Sequence, residues 1–489
     1  MVRALASRSK PSLPGRGRAS GHRRLPPSNA PTVGIVGVGY MGIATGLAFA
    51  HRGRRVVAYD VNPRVRKAIR SGRSPYREDG LTELLRAETK RGRFVVVDGL
   101  DPLCAVSECI FLCVPTPPGR AGRADLGPLR SAVRDLAASL RTVRGYRLVV
   151  VKSTVVPGTT DTVVAPLLRR GTGKGARSLG VATNPEFLSE GRMVEDALHP
   201  ERIVVGTSDR KSLARISAVY EGFDAPVLVL PPSGAELVKY AANAFLALKV
   251  SFANELSRWT EALGGNIDDV VGAVGADPRI GPAFLRAGPG FGGSCFEKDL
   301  RAFVGRAQEL GLRVRTAETA LDINADQTAH ALELVRQTAG TLRGRTVAVL
   351  GLAFKAGTDD IRESRAFPIV EGLLASGARV RVHDPSALRN FRREWRRRSG
   401  TLPSRLTFCP SVDRALLGAN LAVLQSDWPE YLAWPRRWTD RMRSPVVVDL
   451  RRALRPEVRD RAGVRLVALG VGTAADVSAS GDPAPRRPR

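Results

Sequence analysis

One stretch near the start of the chain constrains its fold more than any other. Thr32-Val33-Gly34-Ile35-Val36 is a short β-type run, Gly37-Val38-Gly39-Tyr40-Met41-Gly42 follows it, and Ile43 to His51 has helical character. Strand, G-x-G-x-x-G and helix in that order form a dinucleotide-binding turn: the glycines let the backbone approach a pyrophosphate, which lies at the helix N-terminus. A second strand, Arg55 to Tyr59, ends in Asp60, twenty-one residues after Gly39. An acid there accepts hydrogen bonds from ribose hydroxyls and favours NAD; Arg64 and Arg66 beside it leave room for NADP.

β-Type runs at Phe94–Val97, Cys109–Val114, Arg147–Lys152 and Leu179–Ala182 alternate with helical stretches such as Leu126–Leu140 and Thr159–Leu168, predicting a doubly wound parallel sheet. Ligands gather at the C-terminal strand ends of such sheets. Those ends read Val114-Pro115-Thr116-Pro117, Lys152-Ser153-Thr154 and Asn184-Pro185-Glu186-Phe187-Leu188-Ser189-Glu190-Gly191, a concentration of hydroxyls, carboxylates and one base. Ser233 to Leu263 then predicts one long helix, with Ser233 as N-cap and Glu236 at capping-box spacing, and with Lys239 and Asn243 on one face. From Arg345 a second α/β pattern begins, with strands at Thr346–Gly351 and Arg379–His383, continued by Val412–Ala415, Asn420–Gln425 and Val446–Leu450. It lacks G-x-G-x-x-G, so it suits another ligand; Lys355 and Arg362 after its first strand could grip a phosphate.

Gly288-Pro289-Gly290-Phe291-Gly292-Gly293-Ser294-Cys295-Phe296-Glu297-Lys298-Asp299 is the stretch richest in chemistry. Glycines let the backbone close on a ligand, and a helix beginning near Ser294 would put Cys295 in its first turn, where the dipole lowers a thiol pKa. Asp299, four residues on, shares a face with Cys295. Sixty-six of the seventy-six basic residues are Arg. Lys152, Lys239, Lys298 and Lys355 therefore stand out as places that want a compact ammonium with an adjustable pKa.

Other classes are weaker. Two segments, an acid-free N-terminal arm and Arg389–Arg405, supply much of the net charge of +29; with no RNA-binding or zinc-finger pattern, it predicts no specific nucleic-acid partner. No apolar run is long enough to span a bilayer, so no membrane association is expected. The arm has no secretory h-region, and a transit peptide ranks second to a disordered arm. Five scattered cysteines fit the reducing cytoplasm and no disulfide framework. Cys109 and Cys113 flank Ile110-Phe111-Leu112 and read as strand core; no metal site is expected.

These motifs together resemble the UDP-glucose/GDP-mannose dehydrogenase family, over roughly Val33 to Arg452. The resembling stretches are Gly37–Gly42, Val114–Pro117, Ser153–Thr159, Asn184–Gly191, Lys239–Asn254, Asp277–Asp299 and Phe354–Ser364. Leu198–Val204, Asp277–Gly281 and Phe291–Cys295 are most similar to the members that act on UDP-glucose. The resemblance implies two Rossmann-like doubly wound domains joined by a helical central domain with one long helix. It would divide the chain into an NAD-binding domain (31–215), a helical dimerising domain (216–340) and a nucleotide-sugar domain (341–470), between a disordered basic arm (1–30) and a disordered tail (471–489) that composition predicts.

The implied activity is NAD-dependent four-electron oxidation of UDP-glucose at C6 to UDP-glucuronate through a cysteine thiohemiacetal and thioester. The same chemistry on GDP-mannose or a UDP-N-acetylhexosamine is the alternative, and a single-step hydroxyacid dehydrogenase a more distant one. Cys295 would be the nucleophile, Lys239 and Asp299 the proton-handling pair, Lys239 and Asn243 the oxyanion holders, Glu186 the activator of water and Thr116 a water-positioning residue. The cofactor would touch Gly37, Gly39, Tyr40, Met41, Gly42, Asp60, Pro115, Thr116, Ser153, Thr154, Glu190, Lys298 and Arg362. The sugar nucleotide would touch Glu186, Phe187, Leu188, Glu190, Lys239, Asn243, Phe284, Phe291, Gly292, Phe354, Lys355 and Arg451, with Arg279 reaching the neighbouring subunit of a homodimer or higher oligomer. Three positions depart from the family: Glu297 stands where Pro is usual, Met41 where Val is common, and His383 where many relatives have an aromatic.

Overall fold

The computed structural model describes residues 30–119, 122–173, 178–433, 436–454 and 464–472; the expected N-terminal arm and nearly all of the C-terminal tail fall outside them. The first sheet comprises β1 (Val33–Val36), β2 (Val56–Tyr59), β3 (Phe94–Val96), β4 (Cys109–Leu112), β5 (Arg147–Val151), β6 (Leu179–Thr183), β7 (Ile203–Gly206) and β8 (Val227–Leu230), in the order β3-β2-β1-β4-β5-β6-β7-β8. Its central strands are continuous apolar runs buried on both faces, as a sheet covered by helices on each side requires. The sheet is not wholly parallel: β6 and β7 meet antiparallel at the single pair Thr183 and Gly206. It also runs on to Leu230, past residue 215, and a helix over Arg210–Tyr220 crosses that point.

The second sheet, β9 (Thr346–Leu350), β10 (Arg379–His383), β11 (Leu406–Phe408), β12 (Leu421–Leu424), β13 (Val446–Asp449) and β14 (Arg465–Ala468), has the order β11-β10-β9-β12-β13-β14 and is parallel throughout. Val412–Leu416, expected as part of this strand series, is a helix instead. The Ser411 hydroxyl caps it by accepting from the Arg414 N–H, and so short an apolar run carries no period to tell the two apart.

Four helices matter for the site: α1 (Tyr40–His51), α2 (Pro232–Ala262), α3 (Phe296–Glu309) and α4 (Arg315–Ala339). The long helix is present, but the expected capping box is not. Pro232 takes the first helical position, where its missing N–H costs nothing, and Ser233 lies inside the first turn. The Glu236 carboxylate turns outward across the domain junction and accepts from the Gly158 and Thr160 N–H groups and the Thr160 hydroxyl. The segment it grips, Thr160–Val164, is a turn of π-helix rather than the start of a regular α-helix. Glu236 thereby fixes the register of α2, and with it Lys239 and Asn243, against the first sheet.

Candidate active site

The first βα turn is built as the glycine spacing predicts. Gly37 has φ 92°, and a Cβ there would meet the Cys113 carbonyl at 2.8 Å. A Cβ on Gly42 would sit 2.0 Å from the Gly37 carbonyl, so Gly42 lets α1 pack on the turn, whereas Gly39 has open space in front of it. Asp60, at the end of β2, accepts from the Val38 N–H at 2.8 Å through one oxygen and from the Asn62 N–H through the other. Arg66 donates to Asp98 and to the carbonyls of Asp60 and Val61. Its guanidinium is thus engaged, which fits NAD rather than a 2′-phosphate.

Gly37, Gly39, Tyr40, Met41 and Asp60 line one cavity of about 1780 Å³ together with Pro115, Thr116, Ser153, Thr154, Glu186, Leu188, Glu190, Cys295, Lys298, Asp299 and Arg362. One small ligand commonly occupies roughly 300–1,000 Å³, so this cavity has room for two. Its walls come from the first α/β unit, from the start of α3 and from the segment after β9 and the helix Leu388–Ser399 of the second unit, and they place the dinucleotide turn and the cysteine on one continuous surface.

Lys239 and Asn243 stand just behind that wall, each joined to a residue that lines it. Lys239 is 4% exposed and its ammonium lies 2.9 Å from Glu186 Oε1. Glu186 Oε2 accepts from the Leu188 N–H at 2.7 Å. Asn243 Nδ2 donates to Asp299 Oδ2 at 2.7 Å, and the Lys298 ammonium lies 2.5 Å from Oδ1 of the same carboxylate. Burial would push the Glu186 carboxyl up, but the Lys239 charge and hydrogen bond, the Leu188 N–H and the Lys152 charge outweigh it and hold Glu186 below the usual carboxylate range. For Lys239, burial works downward and the charges of Glu186, Cys295 and Asp299 carry its pKa above the usual ammonium value. Lys152 is a second buried ammonium behind Glu186, donating to the Asn184 side chain and carbonyl, and burial lowers it to about 8.

Cys295 departs from expectation. α3 begins at Phe296, so Cys295 occupies the N-cap position, and its carbonyl accepts from the Asp299 N–H. Its thiol is pushed up, to about 11, first by burial and then by the Glu186 and Asp299 charges, against the pull of Lys239. Desolvation beside two carboxylates outweighs the helix dipole. Alkylation of Cys295 by iodoacetamide, followed by peptide mass analysis, should therefore rise about tenfold per pH unit between pH 7 and 10 with no plateau; a plateau near pH 7 would contradict this environment.

The glycine-rich loop is held by polar side chains that sequence spacing does not reveal. Asn324, on α4, accepts from the Phe291 N–H and donates to the Phe291 carbonyl; Thr328 donates to the Pro289 carbonyl. Asn254, on α2, accepts from the Gly288 N–H, and Gln327 donates to the Gly288 carbonyl. Gly290, at φ 109°, leaves space for Asn324, whose oxygen would be 2.8 Å from a Cβ. Glu78 was likewise not anticipated: it accepts from the Gly191 and Met193 N–H groups and so ties down the Glu186–Gly191 segment. Tyr76, also on the cavity wall, stands with its ring 4.4 Å from that of Tyr40.

Several of the other expected residues surround the cavity without forming its walls. The Phe187 ring lies 4.2 Å from the Arg202 guanidinium and 5.6 Å from the Lys239 ammonium. Phe291 and Phe284 both stand against Phe296, and Phe284 has the left-handed φ of 65°. Gly292 and Gly293 pass closely under Phe354 and Glu363. Lys355 reaches toward Gly191. Arg451 donates to the carbonyls of Gln425 and Phe354, and burial lowers its pKa to about 10. On the wall itself, Thr116 donates its hydroxyl proton to the Thr154 carbonyl, and Ser153 donates to the Val114 carbonyl. Arg279 is not brought to the site: it is paired with Asp277 and its side chain is 87% exposed. His383 is buried against the Tyr431 hydroxyl. Among the described residues no metal-binding cluster occurs, and no helix is long and apolar enough to cross a membrane.

Comparison with known proteins agrees with this geometry. Models of the UDP-glucose/GDP-mannose dehydrogenase family match in three parts: the NAD-binding domain over residues 31–224, the central domain over 233–326 and the UDP-binding domain over 348–456. A UDP-glucose 6-dehydrogenase of Rhizobium meliloti is 37% identical over 444 residues, covering 89% of this chain and 98% of the relative. The structure of a UDP-glucose dehydrogenase from Pyrobaculum islandicum superposes with a TM-score of 0.82 at 38% identity, covering 92% of this chain and 99% of that one. A UDP-D-ManNAc dehydrogenase from Pyrococcus horikoshii gives 0.78 at 26% identity, covering 91% and 100%.

Proposed function

Because the chain belongs to the UDP-glucose/GDP-mannose dehydrogenase family, we propose that it oxidises C6 of UDP-glucose twice, to UDP-glucuronate, through a covalent intermediate on Cys295. The observation that carries this reading is the convergence of Cys295, Asp299 and the buried Glu186–Lys239 pair on the cavity that also holds the dinucleotide turn. NAD bound at Gly37–Gly42 and Asp60 supplies the hydride acceptor for each oxidation.

The chain's own residues handle protons and the acyl group. Asp299, through a water that the Lys239 ammonium orients, takes the proton of the C6 alcohol in the first oxidation. The Cys295 thiol then adds to the aldehyde: the S–C6 bond forms and the thiol proton passes to the carbonyl oxygen. A thiol held protonated suits this neutral addition. Asp299, having passed the first proton to solvent, takes the hydroxyl proton of the thiohemiacetal as it is oxidised to a thioester, while Lys239 and Asn243 steady the oxygen. Water, losing its proton to Glu186, then cleaves the thioester, giving the carboxylate and the free thiol. Thr116, whose own proton is committed to Thr154, offers a lone pair to position that water.

In the same reading Pro115, Ser153, Thr154, Glu190, Lys298 and Arg362 frame the cofactor, while Phe187, Leu188, Phe284, Phe291, Gly292, Phe354, Lys355 and Arg451 frame the sugar nucleotide. The exposed Arg279 serves the neighbouring subunit of a homodimer. The working units are an NAD-binding part, a helical middle built on α2 and α4, and a nucleotide-sugar part built on the second sheet. The free cysteines suit the reducing cytoplasm.

The test is turnover with NAD on a panel of UDP-glucose, GDP-mannose, UDP-N-acetylmannosamine and 3-hydroxyisobutyrate. UDP-glucose should lead in kcat/KM by about a hundredfold or more. A lead by UDP-N-acetylmannosamine, favoured by the likeness to the Pyrococcus horikoshii enzyme, would move the substrate and keep the chemistry; a lead by the hydroxy acid would overturn both.

A further inference from the structure

Glu297, two residues after Cys295, forms contacts that the chemistry above does not use. Its side chain is 17% exposed, and its two oxygens point to different parts of the fold. Oε1 accepts from Arg301 Nε at 3.1 Å and Nη2 at 2.8 Å, one turn along α3. Oε2 accepts from Arg365 Nη2 at 2.8 Å, across the junction to the segment that follows β9. Arg365 is itself only 13% exposed, and its Nε donates to the Glu363 carbonyl. Burial would raise the Glu297 carboxyl, but the hydrogen bonds and charges of Arg301 and Arg365 outweigh it, so the pair is ionised.

This contact has a counterpart on the other side of Cys295. The Gly293 N–H donates to the Arg362 carbonyl at 2.9 Å, and a Cβ on Gly292 would come within 2.5 Å of the Glu363 carbonyl. Glu363 holds the left-handed φ of 49°, a conformation costly for a side-chain-bearing residue. The cysteine is therefore bracketed, two residues before and two after, by bonds to the same four-residue piece of the second α/β unit. Of these two bonds, the one after it is made by side chains, and it is charged and largely buried.

We propose that Glu297 is a positioning residue: its ion pair with Arg365 fixes the first turn of α3 against the second α/β unit and so sets the place of Cys295 Sγ for attack. The inference rests on Cys295 being the nucleophile. A displacement of about 1 Å in a reacting group can cost up to a hundredfold in rate; Glu297 lines the cavity too, but both its oxygens are committed to Arg301 and Arg365. Loss of the pair should thus appear in kcat and not in KM.

The experiment compares Glu297→Gln, Arg365→Gln, the double variant, Arg301→Gln and Cys295→Ser, each assayed with UDP-glucose and NAD. Each variant that breaks the cross-unit pair should lower kcat about tenfold with KM within about twofold, and the double should be no worse than the poorer single. Iodoacetamide should meanwhile alkylate Cys295 faster in these variants, because a freed loop exposes the thiol more often. Arg301→Gln, which removes only the contact within α3, should keep kcat near the parent's. If Arg301→Gln costs as much as Arg365→Gln, if the losses multiply in the double variant, or if kcat is unchanged in the singles, Glu297 does not position the nucleophile. An active Cys295→Ser would overturn the functional reading and this inference with it. An inactive Cys295→Ser beside an unaffected Glu297→Gln would overturn this inference alone.

Discussion

Replacing Cys295 by Ser is expected to lower uronate formation by about a thousandfold or more while leaving NADH binding, followed by fluorescence, unchanged. Cys295 lines the shared cavity but does not belong to the dinucleotide turn, so its loss should spare the cofactor site. A serine hydroxyl adds to the aldehyde poorly and forms an ester rather than a thioester, which resists hydrolysis more strongly. The chemistry should stall after the first oxidation, and single-turnover experiments should still yield the first NADH. Undiminished uronate production by this variant would remove the covalent step.

Lys239→Met should have the next largest effect. In the proposed chemistry the Lys239 ammonium orients the water of the first proton transfer and steadies the developing oxyanion, contributions worth about a hundred- to ten-thousandfold in kcat. The same change leaves Glu186 buried without its cation. Breaking one side of a buried pair commonly costs about 3–5 kcal/mol, so a marked fall in thermal stability should accompany the loss of rate. Adding Glu186→Gln to Lys239→Met should recover much of the stability and none of the activity.

The pH signature of the pair follows from the direction of each shift. Glu186 is held below its ordinary value, so its contribution is present above the unfolded carboxylate pKa and lost as pH falls through the lower folded one. Lys239 is raised, so its contribution is present below the ordinary ammonium pKa and lost as pH rises through the folded one. Stability owed to the pair should accordingly be level across neutral pH. If Lys239→Met changed only KM, Lys239 would hold substrate without taking part in the reaction.

The parts of this protein that were legible in the sequence are those where local spacing and chemistry coincide. Gly37, Gly39, Gly42 and Asp60 state a backbone requirement and its partner within one βαβ unit, and the structure builds that turn. Lys239 and Asn243, four apart on α2, reach the same site for the same reason. The cavity also brings together three strand-end loops that a doubly wound sheet must place on one edge. What was not legible depends on partners far along the chain. Glu236 reads as half of a capping box until Gly158 and Thr160 claim it. The thiol of Cys295 looks activated by a helix end until Glu186 and Asp299 are placed beside it. Asn254, Asn324, Gln327 and Thr328 look like ordinary helix residues, and only the folded loop shows that they hold its backbone. Glu297 has no partner in sequence beyond Arg301; Arg365 is sixty-eight positions away.

The central claim is that one site performs two successive oxidations on one sugar nucleotide. The most direct test is to let a limiting amount of UDP-glucose react to completion with purified protein and excess NAD, and to count NADH against UDP-glucuronate. The account predicts two NADH for each UDP-glucose consumed, with no free aldehyde accumulating. One NADH per substrate, with the aldehyde as product, would contradict it.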